Sequence, residues 1–102
     1  MKRILFGLFL FFFVAASWEI GAWDKIDYQR LMATKKCVKC DLTEAYLSGA
    51  DLIFTNLSGA NLSGADLNEV NLSAADLEGA NLTETKFCET KMPNGTIDNS
   101  SC

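Results

Sequence analysis

The chain contains no histidine and a single proline. Without imidazole, Ser-His-Asp and Cys-His nucleophile activation, His metal ligation and imidazole acid–base catalysis are excluded. Basic charge is scarce as well. Nine Lys and Arg stand against thirteen Asp and Glu, a net charge of −4. A nucleic-acid phosphate surface needs clustered Lys and Arg, so no nucleic-acid partner is expected. The 102 residues allow one small domain. The lone proline and a 49% hydrophobic content set the chain apart from a disordered linker.

The apolar residues are concentrated at the start. Lys2 and Arg3 precede residues 4–16, which carry no charge and five phenylalanines. A basic start, a short apolar core and small residues after it read as a secretory signal peptide. Cleavage after Ser17, with Ala15 at −3, gives a leader of 1–17. Cleavage after Ala22, with Ile20 at −3, extends it to 22 and fits less well. Thirteen apolar residues span only about 20 Å as a helix, against a hydrocarbon core of about 30 Å, which argues against an uncleaved anchor. Membrane contact is expected only if the leader is retained. The expected location is therefore exported, periplasmic or extracellular.

What remains is uneven in charge. Residues 23–39 hold five basic and two acidic side chains, whereas 40–89 hold nine acidic ones and only Lys86 as a base. A basic preface precedes an acidic body.

From Cys40 the body divides into fives: CDLTE, AYLSG, ADLIF, TNLSG, ANLSG, ADLNE, VNLSA, ADLEG, ANLTE, TKFCE and a degraded TKMPN. Leu holds the centre of each unit until Phe87 and Met92. A small residue stands two places earlier, and mostly Asp or Asn between them. A period of five fits neither regular element. In an α-helix the leucines would spiral round the axis, and in a strand they would alternate between faces. Within a unit, though, the two apolar positions are two apart and point the same way from a short extended piece. The polar residues that follow suit a turn. The consistent solution is a coil with a corner in every unit, its interior filled by Leu and small residues. Coils stack at about 4.8 Å, bonded backbone to backbone.

The units of 40–92 resemble the pentapeptide-repeat family, A(D/N)LXX. TKKCVKCDL before them and FCETKMPNGTIDNSSC after them look like an exported bacterial subgroup of it. The resemblance implies an all-β solenoid, a right-handed quadrilateral β-helix of about two and a half coils with four units per coil. It implies no enzymatic activity, and no catalytic residue, cofactor or metal site is assigned. Twenty-residue stacking would place Leu42, Leu62 and Leu82 in one inner column. Cys40 would lie inward below Ala60 and Ala80. Tyr46, Asp66 and Lys86 would form an outer column in which Lys86 can pair with Asp66.

Both ends of such a stack expose unpaired backbone. Residues 24–36 read as a short capping helix, part of an N-terminal segment of 23–39. Asp24 or Asp27 would start it, Ile26, Arg30 and Ala33 would share a stripe with Leu31 and Met32 nearby, and Lys35 and Lys36 would suit its last turn. At the other end the turn signal Met92-Pro93-Asn94-Gly95 opens a polar tail, 93–102, that ends in a cysteine.

Cys37, Cys40, Cys88 and Cys102 make an even set in a small exported chain, which reads as a disulfide framework. Cys40 and Cys88 are about 2.4 coils, or about 12 Å, apart along the axis, whereas a bridge needs Cα atoms within about 7 Å. Cys37–Cys40 and Cys88–Cys102 are therefore favoured, the second tying the tail over the last coil. The same separation discourages a zinc site built from all four cysteines. A redox Cys-x-x-Cys normally opens a helix, whereas this one opens a coil, and no His follows Cys40 for haem attachment.

One unit departs from the pattern. ADLIF puts Ile53 and Phe54 where other units carry Ser–Gly or Ser–Ala. Both should point outward beside Ser73 and Ala74 of the next coil. The first reading is a local patch covered by the cap or tail. The other is a contact site for a second protomer or another protein, formed by Ile53, Phe54 and Ala74.

The chain thus reads as a non-catalytic structural or protein-interaction module, with an unidentified protein partner or self-association. Two alternatives belong to other classes. One is an acidic DNA mimic that inhibits a DNA-binding enzyme, an activity the resemblance brings with it. Against it stand the leader and a rod of about 12 Å, compared with about 34 Å for one turn of DNA. The other is a thiol-redox protein using Cys37 and Cys40.

Overall fold

The computed structural model describes residues 23–102, so the leader expected at 1–17 or 1–22 lies outside the described residues. Parallel bridges join positions twenty apart: Lys36 with Asn56, Asp41 with Asn61, Tyr46 with Asp66 and Asp51 with Asn71. The same series continues through Asn56 with Asp76 to Asn71 with Lys91. One coil is therefore four five-residue units. Leu42 N–H donates to Asn61 O at 2.8 Å, Glu44 N–H to Ser63 O at 2.9 Å, and Asn61 N–H back to Cys40 O at 2.8 Å.

The residue types follow from the corner. Where a unit carries Asp or Asn at this position, its Oδ1 accepts the N–H two residues on, as from Ser63 to Asn61 at 3.0 Å and from Glu78 to Asp76 at 3.0 Å. This Asx turn bends the chain just after Leu. The backbone then passes through the left-handed region at every fifth residue, for instance Glu44 (φ 59°), Gly59 (φ 70°) and Glu69 (φ 61°). Leu42 through Leu72 fill the interior at every fifth position, none more than 2% exposed. Ala45, Ala60, Ala65 and Val70 are buried beside them. Buried threonines in the small-residue column spend their hydroxyls on the coil below. Thr85 Oγ1 donates to Leu62 O and Thr90 Oγ1 to Leu67 O, each at 2.8 Å. Thr55 Oγ1 has no partner among the described residues. The carbonyl at the same offset belongs to Met32, which lies in a helix and not in a coil.

The stack begins one unit before Cys40. Cys37 occupies the position of the repeat leucine, fully buried, and its N–H donates to Asn56 O at 2.8 Å. Lys39 takes the left-handed corner (φ 58°).

Helix α1 spans Lys25–Thr34, with Asp24 as N-cap accepting the Ile26 and Asp27 N–H groups. The expected stripe of Ile26, Arg30 and Ala33 does not face the coil; all three are exposed, and Leu31 is the buried residue. Contacts with Asp41 set this rotation. Asp24 N–H donates to Asp41 O at 3.0 Å, and Asp41 N–H to Asp27 Oδ2 at 2.9 Å. Asp27 therefore faces the coil, and Leu31, one turn on, points inward. Lys35 is the left-handed C-cap and Lys36 already belongs to the stack, so neither sits in the last turn as expected. The expected Lys86–Asp66 ion pair is also not formed, whereas Arg30 pairs with Asp27 at 3.4 Å. The Asp66 carboxylate is occupied by its own turn, accepting Asn68 N–H at 3.0 Å.

The buried column carries the stability of this arrangement. Leu62→Ala should cost roughly 2–5 kcal/mol in a denaturant titration, as a core truncation that leaves a cavity. Ser63→Ala, one residue away on the outer surface, should stay within about 0.5 kcal/mol.

Candidate interaction surfaces

Phe54 stands at a left-handed corner (φ 60°) and is 77% exposed. Its N–H donates to Ser73 O at 3.0 Å, which fixes the corner against the next coil. Ile53 is half-buried and donates its N–H to Asp51 Oδ1 at 3.2 Å. Ala74, above Phe54, is exposed and shares the conformation (φ 59°). Neither α1 nor the tail covers Phe54, so the reading of a covered patch is corrected. Equivalent corners hold Gly49, Gly59, Gly64 and Gly79, and elsewhere Lys39, Glu44, Glu69, Ala74, Glu84 and Glu89, so Phe54 is the large apolar residue among them. A side chain in this region costs roughly 1–2 kcal/mol, and for a bulky residue the conformation is an outlier.

The structure pairs Cys37 with Cys40 and Cys88 with Cys102, at Cα separations of 5.3 and 4.9 Å. The two environments differ. Cys37 and Cys40 are buried in the first coil beneath α1, whereas Cys88 is half-buried and Cys102 exposed. Among the described residues no group of three or more Cys, Asp or Glu is placed to hold a metal ion, and no helix is long and apolar enough to cross a membrane.

The tail returns along the last coil. Strand β1 (Thr90–Lys91) pairs antiparallel with β2 (Ile97–Asp98), Thr90 opposite Asp98 and Lys91 opposite Ile97. Beyond β2, Glu89 N–H donates to Asn99 Oδ1 at 2.7 Å and Ser101 N–H to Phe87 O at 2.8 Å. Pro93 and Gly95 (φ 90°) make the reversal. The tail covers only the two sides of the coil that carry Phe87 and Met92. Leu77 and Leu82, on the other two sides, remain partly exposed. The Asp98 carboxyl is held below its ordinary value by the Ser100 hydroxyl and then by the Ser100 backbone N–H, at 2.8 Å.

The sequence profile of pentapeptide repeats matches residues 36–64 and 65–100, in eight copies. The match begins at Lys36, where the parallel bridges begin. Among solved structures, HetL is similar to the chain. It is a pentapeptide repeat protein involved in heterocyst differentiation regulation, from the cyanobacterium Nostoc sp. strain PCC 7120. The two are 27% identical over 62% of this chain, with a TM-score of 0.28. The chain spans 43% of HetL's length. No curated protein matches the chain.

Two outcomes follow for the tail. Cys102→Ser should speed amide exchange at Phe87, Glu89 and Met92 while leaving Leu42 and Leu47 protected. Equal acceleration in both coils would show that the tail does not act locally. Because the folded state depresses the Asp98 pKa, the stabilisation it gives is present above the ordinary carboxylate value. It is lost as pH falls through the lowered one. Ser100 amide exchange, corrected for its intrinsic pH dependence, should rise only in that acid window, and Asp98→Asn should abolish the step.

Proposed function

Because the chain belongs to the pentapeptide-repeat family, whose fold is a right-handed β-helix solenoid, we propose that it is an exported, non-catalytic protein-interaction module. In this reading it is a quadrilateral rod of about three coils, the unit at Cys37 adding to the two and a half expected from the sequence, capped by α1 and tied at both ends by disulfides. The observation that carries it is Phe54: a large apolar side chain, 77% exposed, at a left-handed corner whose other occupants are glycine, alanine or charged residues. Strain and apolar exposure both work against stability, and a residue that combines them at a surface points to contact. Ile53 and Ala74 complete the contact surface.

Burial of Cys37 and Cys40 leaves no approach for an attacking thiolate, which favours a structural bridge over redox work. The rod is also too short to imitate a turn of DNA, so inhibition by mimicry gains no support.

The test uses native protein from the producing cell. Its N-terminus should lie at Trp18 or Trp23, in a periplasmic or extracellular fraction. Non-reducing peptide mapping should recover the 37–40 and 88–102 linkages. An intact Met1 in the cytosol overturns export. A photo-crosslinking side chain at Ser73, beside Phe54, should give a discrete protein adduct that Phe54→Ser removes. Phe54→Gly should remove the same adduct while raising stability by roughly 1 kcal/mol, the left-handed strain being relieved.

A further inference from the structure

Each coil presents one set of backbone groups to the next. Leu57 and Gly59 N–H donate to Asp76 and Glu78 O, and Leu62 and Gly64 N–H to Asn81 and Thr83 O, at 2.8–2.9 Å. Asp76 and Asn81 N–H return to Thr55 and Ala60 O, each at 2.8 Å. One coil later the same groups have no partner among the described residues. They are the N–H groups of Leu77, Gly79, Leu82 and Glu84 and the carbonyls of Ala75 and Ala80. Two adjoining sides of the coil therefore end in a regular, unpaired edge over partly exposed Leu77 and Leu82.

The other two sides show what this edge accepts. There the tail supplies an extended segment, and its charge matches: Asp98 lies opposite Thr90, next to Lys91. The open sides carry the opposite sign, since Asp76, Glu78 and Glu84 are exposed along them. A second copy meeting this edge through its own would set like charges against each other, which destabilises a strand pair. An approaching N-terminal end is blocked by α1, whose Leu31 packs on the first coil.

We propose that the edge along residues 76–84 docks a basic, extended segment of a partner protein, bent once, which adds as the next layer of the stack. Its backbone would complete the unpaired N–H and carbonyl set, as in strand addition. Aliphatic residues would lie over Leu77 and Leu82, and Lys or Arg beside Glu78 and Glu84. The proposal rests on the reading of the chain as an interaction module, but uses a surface remote from Phe54.

The probe is a fluorescein-labelled peptide of two Ala-Lys-Leu-Lys-Gly units, followed by anisotropy against the full exported, oxidised protein. Saturable binding is expected. It should weaken at least about tenfold for the matching peptide of Ala-Asp-Leu-Glu-Gly units and with the double variant Glu78→Lys/Glu84→Lys. N-methylation of the lysine before each leucine, which removes the donors to Ala75 and Ala80 O, should weaken it similarly. Glu69→Lys, a single charge reversal at a distant exposed corner, should leave it unchanged. Equal binding of the acidic or the N-methylated peptide overturns the proposal. So does a dimer, seen by sedimentation, that the peptide cannot dissociate, since a second copy then holds the edge. If the peptide fails while the Phe54-dependent adduct persists, the interaction reading stands and this site falls. If the adduct is absent while the peptide binds, the Phe54 contact falls and this site stands.

Discussion

Every coil leaves its forward N–H groups to be satisfied by the coil above, and this unfinished ladder governs the molecule. A helix closes its hydrogen bonds within itself apart from its two ends. Here each five-residue unit is complete only when another lies twenty positions on, as Leu42 is completed by Asn61. Leucine in the centre, a small residue two places before it and Asp or Asn between are three ways of keeping those layers in register. Leu fills the interior, the small residue leaves it room, and the Asx turn bends the chain at the same point each time.

A ladder of this kind must be stopped at both ends, and the two stops are built differently. At the start, Asp41 exchanges its backbone bonds with Asp24 and with the Asp27 side chain, so α1 supplies polar partners where a coil is missing. At the finish, the chain folds its own tail back antiparallel, since a turn at Pro93 and Gly95 ends the parallel winding. The tail pairs along the Phe87 and Met92 sides, so the Leu77 and Leu82 sides of the last coil find no backbone partner among the described residues.

The period, the inward leucines and the outward ADLIF corner were legible because each is written locally and repeated. What escaped was fixed by contacts between distant positions or by unusual residues in ordinary roles. Cys37 stands for a leucine and Lys35 for an alanine, so the first unit does not resemble the rest. The rotation of α1 depends on Asp27 meeting Asp41, and helical periodicity alone favoured Ile26, Arg30 and Ala33. Asp66 looked free to pair with Lys86 because the pattern does not show that its carboxylate already serves the turn. The exposure of Phe54 required knowing that neither end reaches it.

The four-sided winding also indexes direction. Each inserted or deleted unit turns everything beyond it by a quarter of a revolution about the axis, and four units restore the original bearing one layer along. The angle between the Phe54 corner and the bare edge at Leu77 and Leu82 is thus set by the number of units between them. A partner spanning both would tolerate the gain of a whole coil more readily in bearing than the gain of one unit, although the single unit adds less length.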